Sequence, residues 1–277
     1  MFASTAAAQL GATVPVALLY LVVYAMLLRR ARERPSGRRV GVGHALPFVA
    51  GVALLTAVAV PPISTGADEL LSVHMVQHVV VGDLIPALLV LGLRAPILQL
   101  GLPAGVLRAL APGGRWGHVT RTLTNPWVAL PIWIAAQLSW SLPAAMSATQ
   151  SIPAAHVLQH AVLFYAGVLL WWTIVDPLGA RRHEPRFSRL AIVGMSRGAT
   201  AAVCLPLTFL PTHLFPSFEA TALAHGIDPL VDQRLAGAAM CFLELLVFGI
   251  AFLVVFLNAL SREERAVALR ERLAGRA

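Results

Sequence analysis

Four histidines carry the spacing best suited to chemistry in this chain: His74 with His78, and His156 with His160. Each pair reads His-x-x-x-His. Residues four apart on a helix share one face, one turn apart. Two imidazoles so placed can share one ion, and two such pairs side by side make a four-imidazole site. Imidazole nitrogen suits copper, zinc, iron and nickel. Soft donors at similar depth would tilt the choice toward Cu(I), and Met75, Cys204, Met240 and Cys241 are candidates. Each of these is also an ordinary apolar filler. The alternative for the histidines is two unrelated polar pairs bonded to backbone or water. A single haem between the pairs is a further option. Two stacked haems fit less well, because one helical turn, about 6 Å, is too short to serve two macrocycles.

Such histidines need helices to hold them. Of 277 residues, 58% are apolar and 12% charged, and the mean hydropathy is +0.75. Soluble domains run near half apolar and a quarter charged. The composition predicts an all-α polytopic membrane protein, a single domain over 1–277. A span needs about 20 mostly apolar residues, and seven candidates appear: 12–29, 44–62, 71–93, 126–143, 153–176, 189–212 and 232–260. No basic residue precedes the first apolar run, so it reads as an anchor rather than a cleavable signal peptide.

The formal charge of +8 and the pI near 11 could suggest nucleic acid. The placement of the charge argues otherwise. All 21 basic residues are Arg, and the lack of Lys excludes Schiff-base chemistry. Arg29, Arg30, Arg32, Arg34, Arg38 and Arg39 follow the first span. Arg94, Arg108, Arg115 and Arg121 follow the third, and Arg181, Arg182, Arg186 and Arg189 the fifth. Arg262, Arg265, Arg270, Arg272 and Arg276 follow the seventh. The other connections carry no Arg, but hold Asp68, Glu69, Glu219 and Asp228. By the positive-inside rule this alternation predicts seven spans, N-terminus outside and C-terminus cytoplasmic. The Arg clusters then meet anionic lipid in the bilayer rather than nucleic acid. Both histidine pairs fall near the outer face. His78 and His160 each lie seven residues into their spans, about 10 Å deep. In the long third connection, Leu98, Leu102, Val106 and Leu110 suggest a short interfacial helix, interrupted by Gly101, Pro103 and Gly105.

Three charges fall deep inside spans. Asp83 and Glu244 lie about 18 Å from the outer surface and Arg197 about 22 Å. An uncompensated charge there is costly, so an ion pair from Arg197 to Asp83 or Glu244 is expected, either structural or lining a proton or ion path. Asp83, nine residues past His74, faces away from it on a regular helix; Pro86 could bend that helix. Asp232 opens the seventh span, as a helix cap or as a partner that orients an imidazole. His213 and His225 share an outer connection and could be access ligands. His44, His118 and His183 fall on the Arg side and suggest no role. The two cysteines give no disulfide framework and no cysteine-rich zinc site.

The stretches HMVQHVVVGDLIPALLVLGLRAP (74–96), AAHVLQHAVLFYAGVLLWW (154–172) and GIDPLVDQRLAGAAM (226–240) resemble the signatures of the CtaG-type cytochrome c oxidase assembly factors. The resemblance covers spans three to seven in order. It implies a seven-helix bacterial plasma-membrane protein, not an enzyme, that helps mature haem-copper oxidases with a suspected part in copper delivery. It puts functional weight on His74, His78, His156, His160, Asp232 and Gln233. Two departures stand out. Ile85-Pro86, just after Asp83, replaces a Pro-Pro pair, and CFLELLVFG with Glu244 replaces a Pro-Gly-rich segment. The resulting expectation is a factor that binds copper at the four histidines. It would deliver the metal to a haem-copper oxidase subunit or another copper chaperone. A transporter of copper or protons and a single-haem redox protein are the competing readings.

Overall fold

The computed structural model describes residues 2–34, 41–111, 113–179 and 186–274, which form helices and no strand. Arg38, Arg39, Arg181, Arg182, Arg276 and His183 lie outside these residues. Helix α1 is Phe2–Glu33 and α2 is Val42–Ala57. The short α3 (Ile63–Glu69) turns into α4, Leu71–Gly92, which carries a π-helical turn at Val80–Leu84. The third connection folds as three short helices: α5 (Ile97–Gly101), α6 (Ala104–Leu110) and α7 (Gly117–Leu123). The expected interruption falls at Leu102 and Pro103, between α5 and α6. Then come α8 (Pro126–Trp140), α9 (Pro143–Ser151) and α10 (Pro153–Val175). The last are α11 (Arg186–Phe209), α12 (Glu219–Ala224) and α13 (Pro229–Ala274).

Among the described residues, five helices are long and apolar enough to cross a membrane, or six if α8 and α9 form one broken span. This differs from the expected seven. Helix α2 has 16 residues, short of the usual 20. Helices α8 and α9 meet at 70°, because Leu142 precedes Pro143 and takes an extended conformation. A residue before proline avoids the helical region.

The helix starts are locally encoded. Asn125 caps α8, accepting from the Trp127 N–H at 2.9 Å, with Pro126 in the first turn. Asp228 Oδ1 accepts from Leu230 and Val231 N–H at 2.8 and 3.2 Å and so caps α13. Helix α11 runs along α13, and α4 packs on α13, α2 and α10. One core joins Trp133, Trp171 and Phe248, with ring centroids 5.7 and 5.6 Å apart. A second joins Tyr24, Phe48 and Ile97. A third gathers Leu71, Met75, Met146, Cys204, Phe218 and Met240.

In this third core Cys204 and Cys241 form a disulfide tying α11 to α13. The cysteines are therefore paired, contrary to the sequence expectation. They stand 37 residues apart, one in each helix of a closely packed pair. Gly237 allows the approach, since a Cβ there would lie 2.7 Å from the Cys204 carbonyl oxygen.

Candidate functional site

Helices α4 and α10 bring the two histidine pairs together. The His74 and His78 ring centroids are 4.4 Å apart, and those of His156 and His160 are 4.5 Å apart. Across the helices, His74 and His156 are separated by 5.8 Å and His78 and His160 by 5.9 Å. The four rings thus mark a small rectangle. His74 is fully buried and His78 nearly so, while His156 and His160 are half-buried.

The nitrogen atoms show what the cluster can do. His74 Nδ1 lies 3.0 Å from the Ala67 carbonyl oxygen. A carbonyl only accepts, so Nδ1 carries the hydrogen and Nε2 keeps a bare lone pair. A carbonyl behind the ring is the usual way to orient a metal-binding imidazole. The Nε2 atoms of His74, His78, His156 and His160 are all buried and lack a hydrogen-bond partner. Buried polar atoms are normally satisfied; four orphaned nitrogens in one cluster form a donor set suited to a cation. As the side chains stand, no three His, Cys, Asp or Glu among the described residues are arranged to hold a metal ion. Ligation would therefore require the rings to turn inward.

Residues around the rings complete the site. Phe218 lies edge-on to His74 at 5.4 Å and is buried. Gln159, also buried, approaches His78. Asp68, at the end of α3, acts electrostatically on His156. Burial pushes the Asp68 carboxyl up; His156 opposes that shift and Glu69 adds to it. His225 Nε2 lies 3.0 Å from Glu69 Oε2 at the surface, outside the four-ring group. His213 is half-buried and also apart from it.

Asp232 neither caps its own helix nor touches an imidazole. Its Oδ2 accepts from the Leu71 N–H at 2.7 Å and its Oδ1 from the Ser72 N–H at 3.1 Å. It caps α4, the helix that carries His74 and His78, from across the bundle. Gln233 donates from Nε2 to the Thr212 carbonyl at 3.0 Å and accepts from the Leu214 N–H at 2.7 Å. It pins the segment that leads to Phe218. The soft donors gather in the third core, but both cysteines are held as a disulfide and offer no thiolate.

The expected ion pair of Arg197 with Asp83 or Glu244 is not formed. Arg197 Nη1 donates to Thr200 Oγ1 at 3.2 Å. Asp83 turns the other way and accepts from Trp133 Nε1 at 3.1 Å and Gln137 Nε2 at 3.3 Å. The π-helical turn causes this. Pro86 has no N–H, so the Gly82 carbonyl loses its helical donor. That carbonyl lies against Gly167 on α10, where a Cβ would overlap it. The wider turn rotates Asp83 off the regular helical register. A groove of about 990 Å³, lined by Arg94, Trp171, Arg189 and Val254 among others, opens in the Arg-rich half. None of the four histidines lines it.

The sequence profile of the cytochrome c oxidase caa3 assembly factors matches residues 22–262. The chain belongs to this family. That agrees with the resemblance carried by the histidine motifs. Two uncharacterised proteins, from Mycobacterium bovis and Mycobacterium tuberculosis, are each 26% identical over 274 residues. The alignment takes in 94% of this chain and 40% of each relative, so the chain spans about two fifths of their length. No solved structure matches it.

Proposed function

We propose that this assembly factor holds copper at His74, His78, His156 and His160 and delivers it to a haem-copper oxidase subunit or another copper chaperone. The observation that supports this most is the set of four buried, unpartnered Nε2 atoms. Copper is the cargo, so the chemistry is ligand exchange and the chain is not an enzyme in this reading. The Ala67 carbonyl and the Asp232 cap hold His74 and His78 in place. His156 and His160, being half-buried, turn to meet the incoming ion. Asp68, beside His156, attracts a cation to that flank.

The same proposal includes seven spans, with α2 and the broken α8–α9 pair each counted as one. It places the N-terminus outside and the C-terminus in the cytoplasm of a bacterium. The alternating Arg clusters support it, and the histidines then face outward. The test is metal analysis of the purified full chain, reduced and kept anaerobic, against the variant with all four histidines changed to Ala. Bound copper in the first and none in the second is expected. No copper in the wild-type chain would end the metal-delivery reading. A Soret band would instead favour haem, and copper or proton flux in proteoliposomes would favour transport.

A further inference from the structure

Deeper in the bundle than the histidines, two acids are buried on helices that touch. Asp83 and Glu244 are both fully buried, and Trp133, which donates to Asp83, packs at 5.7 Å on Phe248, one turn past Glu244 on α13. Their surroundings differ. Asp83 receives two N–H donors, from Trp133 and Gln137 on α8. Glu244 receives none: both of its carboxyl oxygens are buried without a partner. The Thr200 hydroxyl on α11 reaches toward Glu244, but donates to the Arg197 carbonyl at 3.0 Å. Arg197 acts on Glu244 at a distance and spends a donor on Thr200.

Two carboxylates sharing a low-dielectric site cannot both stay ionised. Hydrogen bonds from N–H groups favour the charged form of their acceptor. Asp83 is therefore the carboxylate and Glu244 the acid. With one proton on the pair and one positive charge on Arg197, the group is neutral overall, which is what a membrane interior tolerates. The charged and titratable groups that bear on the pair are Arg197 on α11 and the histidines farther along α4 and α10. His78 is five residues before Asp83, about 7 Å along the helix. We propose that Asp83 and Glu244 form a membrane-buried proton-binding site, with one exchangeable proton held on Glu244 near the Asp83 carboxylate. The site is independent of copper.

Infrared spectroscopy of the full chain in lipid nanodiscs at neutral pH tests it. The expected result is a carbonyl stretch of a protonated carboxylic acid that shifts in heavy water. Glu244→Gln abolishes that band. Asp83→Asn keeps the band but moves it, since Glu244 loses its charged neighbour. Asp68→Asn, the control for the other perturbed acid, leaves it unchanged. Absence of the band in the wild-type chain overturns the proposal, and this measurement needs no variant to fold. A band lost in Asp83→Asn but kept in Glu244→Gln also overturns it.

Discussion

The histidine cluster and the Asp83–Glu244 pair are both polar groups buried without full hydrogen bonding, yet they solve that problem in opposite ways. The histidines present unpartnered ring nitrogens gathered on two neighbouring helices, and what they lack is a cation. The carboxyl pair has one charge too many, and what it lacks is removed by taking up a proton. Their scaffolds differ too. The rings stand on regular helical turns, four residues apart, and the α4 pair is anchored by the Asp232 cap. Asp83 instead sits on an irregularity, the π-helical turn beside Pro86 and Gly167. Burial alone therefore does not assign chemistry. The donors and acceptors already committed around each group do.

That contrast can be broken at several points. The largest effect is expected from His78→Ala or His160→Ala. Either removes one of four donors, and copper content measured by metal analysis should fall toward background while the helical signal persists. The acids should not respond in the same way: Glu244→Gln should leave copper content near wild type. Next comes the disulfide. Reduction, or Cys204→Ser with Cys241→Ser, should lower stability by about 2–4 kcal/mol, read by thermal melting in detergent. Copper content should hold, because the bridge lies in the apolar core rather than among the rings.

Asp232→Ala should cost about 1–3 kcal/mol, since it strands two N–H groups at the start of α4. It should also weaken copper binding about 10- to 100-fold, as loss of a supporting contact behind a metal ligand commonly does. Asp232→Asn, which keeps an acceptor, should recover part of both. If Asp232→Ala changes melting but not copper titration, the cap is structural only.

The smallest effect concerns pH. The Asp68 carboxyl is raised in the folded state, mainly by burial. The folded chain thus carries a penalty when Asp68 is ionised, and loses it as pH falls through the raised value. Asp68→Asn should stabilise modestly at neutral pH. The gain should vanish once pH drops below the ordinary carboxylate range, where both states are protonated. Melting of the two proteins across that range checks the sign.

Much of this was legible in the sequence. The boundaries 71–93 and 153–176 nearly match Leu71–Gly92 and Pro153–Val175, because long apolar runs end at clear polar or proline signals. The meeting of the two pairs was readable from equal distances to the starts of helices running the same way. Other features were hidden for physical reasons. The partner of Asp232 is 161 residues away, and no local pattern encodes a cap supplied by another helix. Cys204 and Cys241 each look like apolar filler until α11 is laid against α13. Asp83 followed regular helical geometry on paper, whereas the widened turn depends on Gly167, a residue on a different helix. The bend at Leu142 was signalled by Pro143, yet the apolar composition continued across it.

Helix α13 has 46 residues, about 69 Å of rod against a hydrocarbon core of about 30 Å. Its first turns are clasped to the head of α4 by Asp232, and its far end projects well beyond the apolar span. A rod gripped near one end is a lever. A torque applied to the protruding end arrives, through the α4–α13 packing and the Asp232 clasp, at the helix bearing His74 and His78.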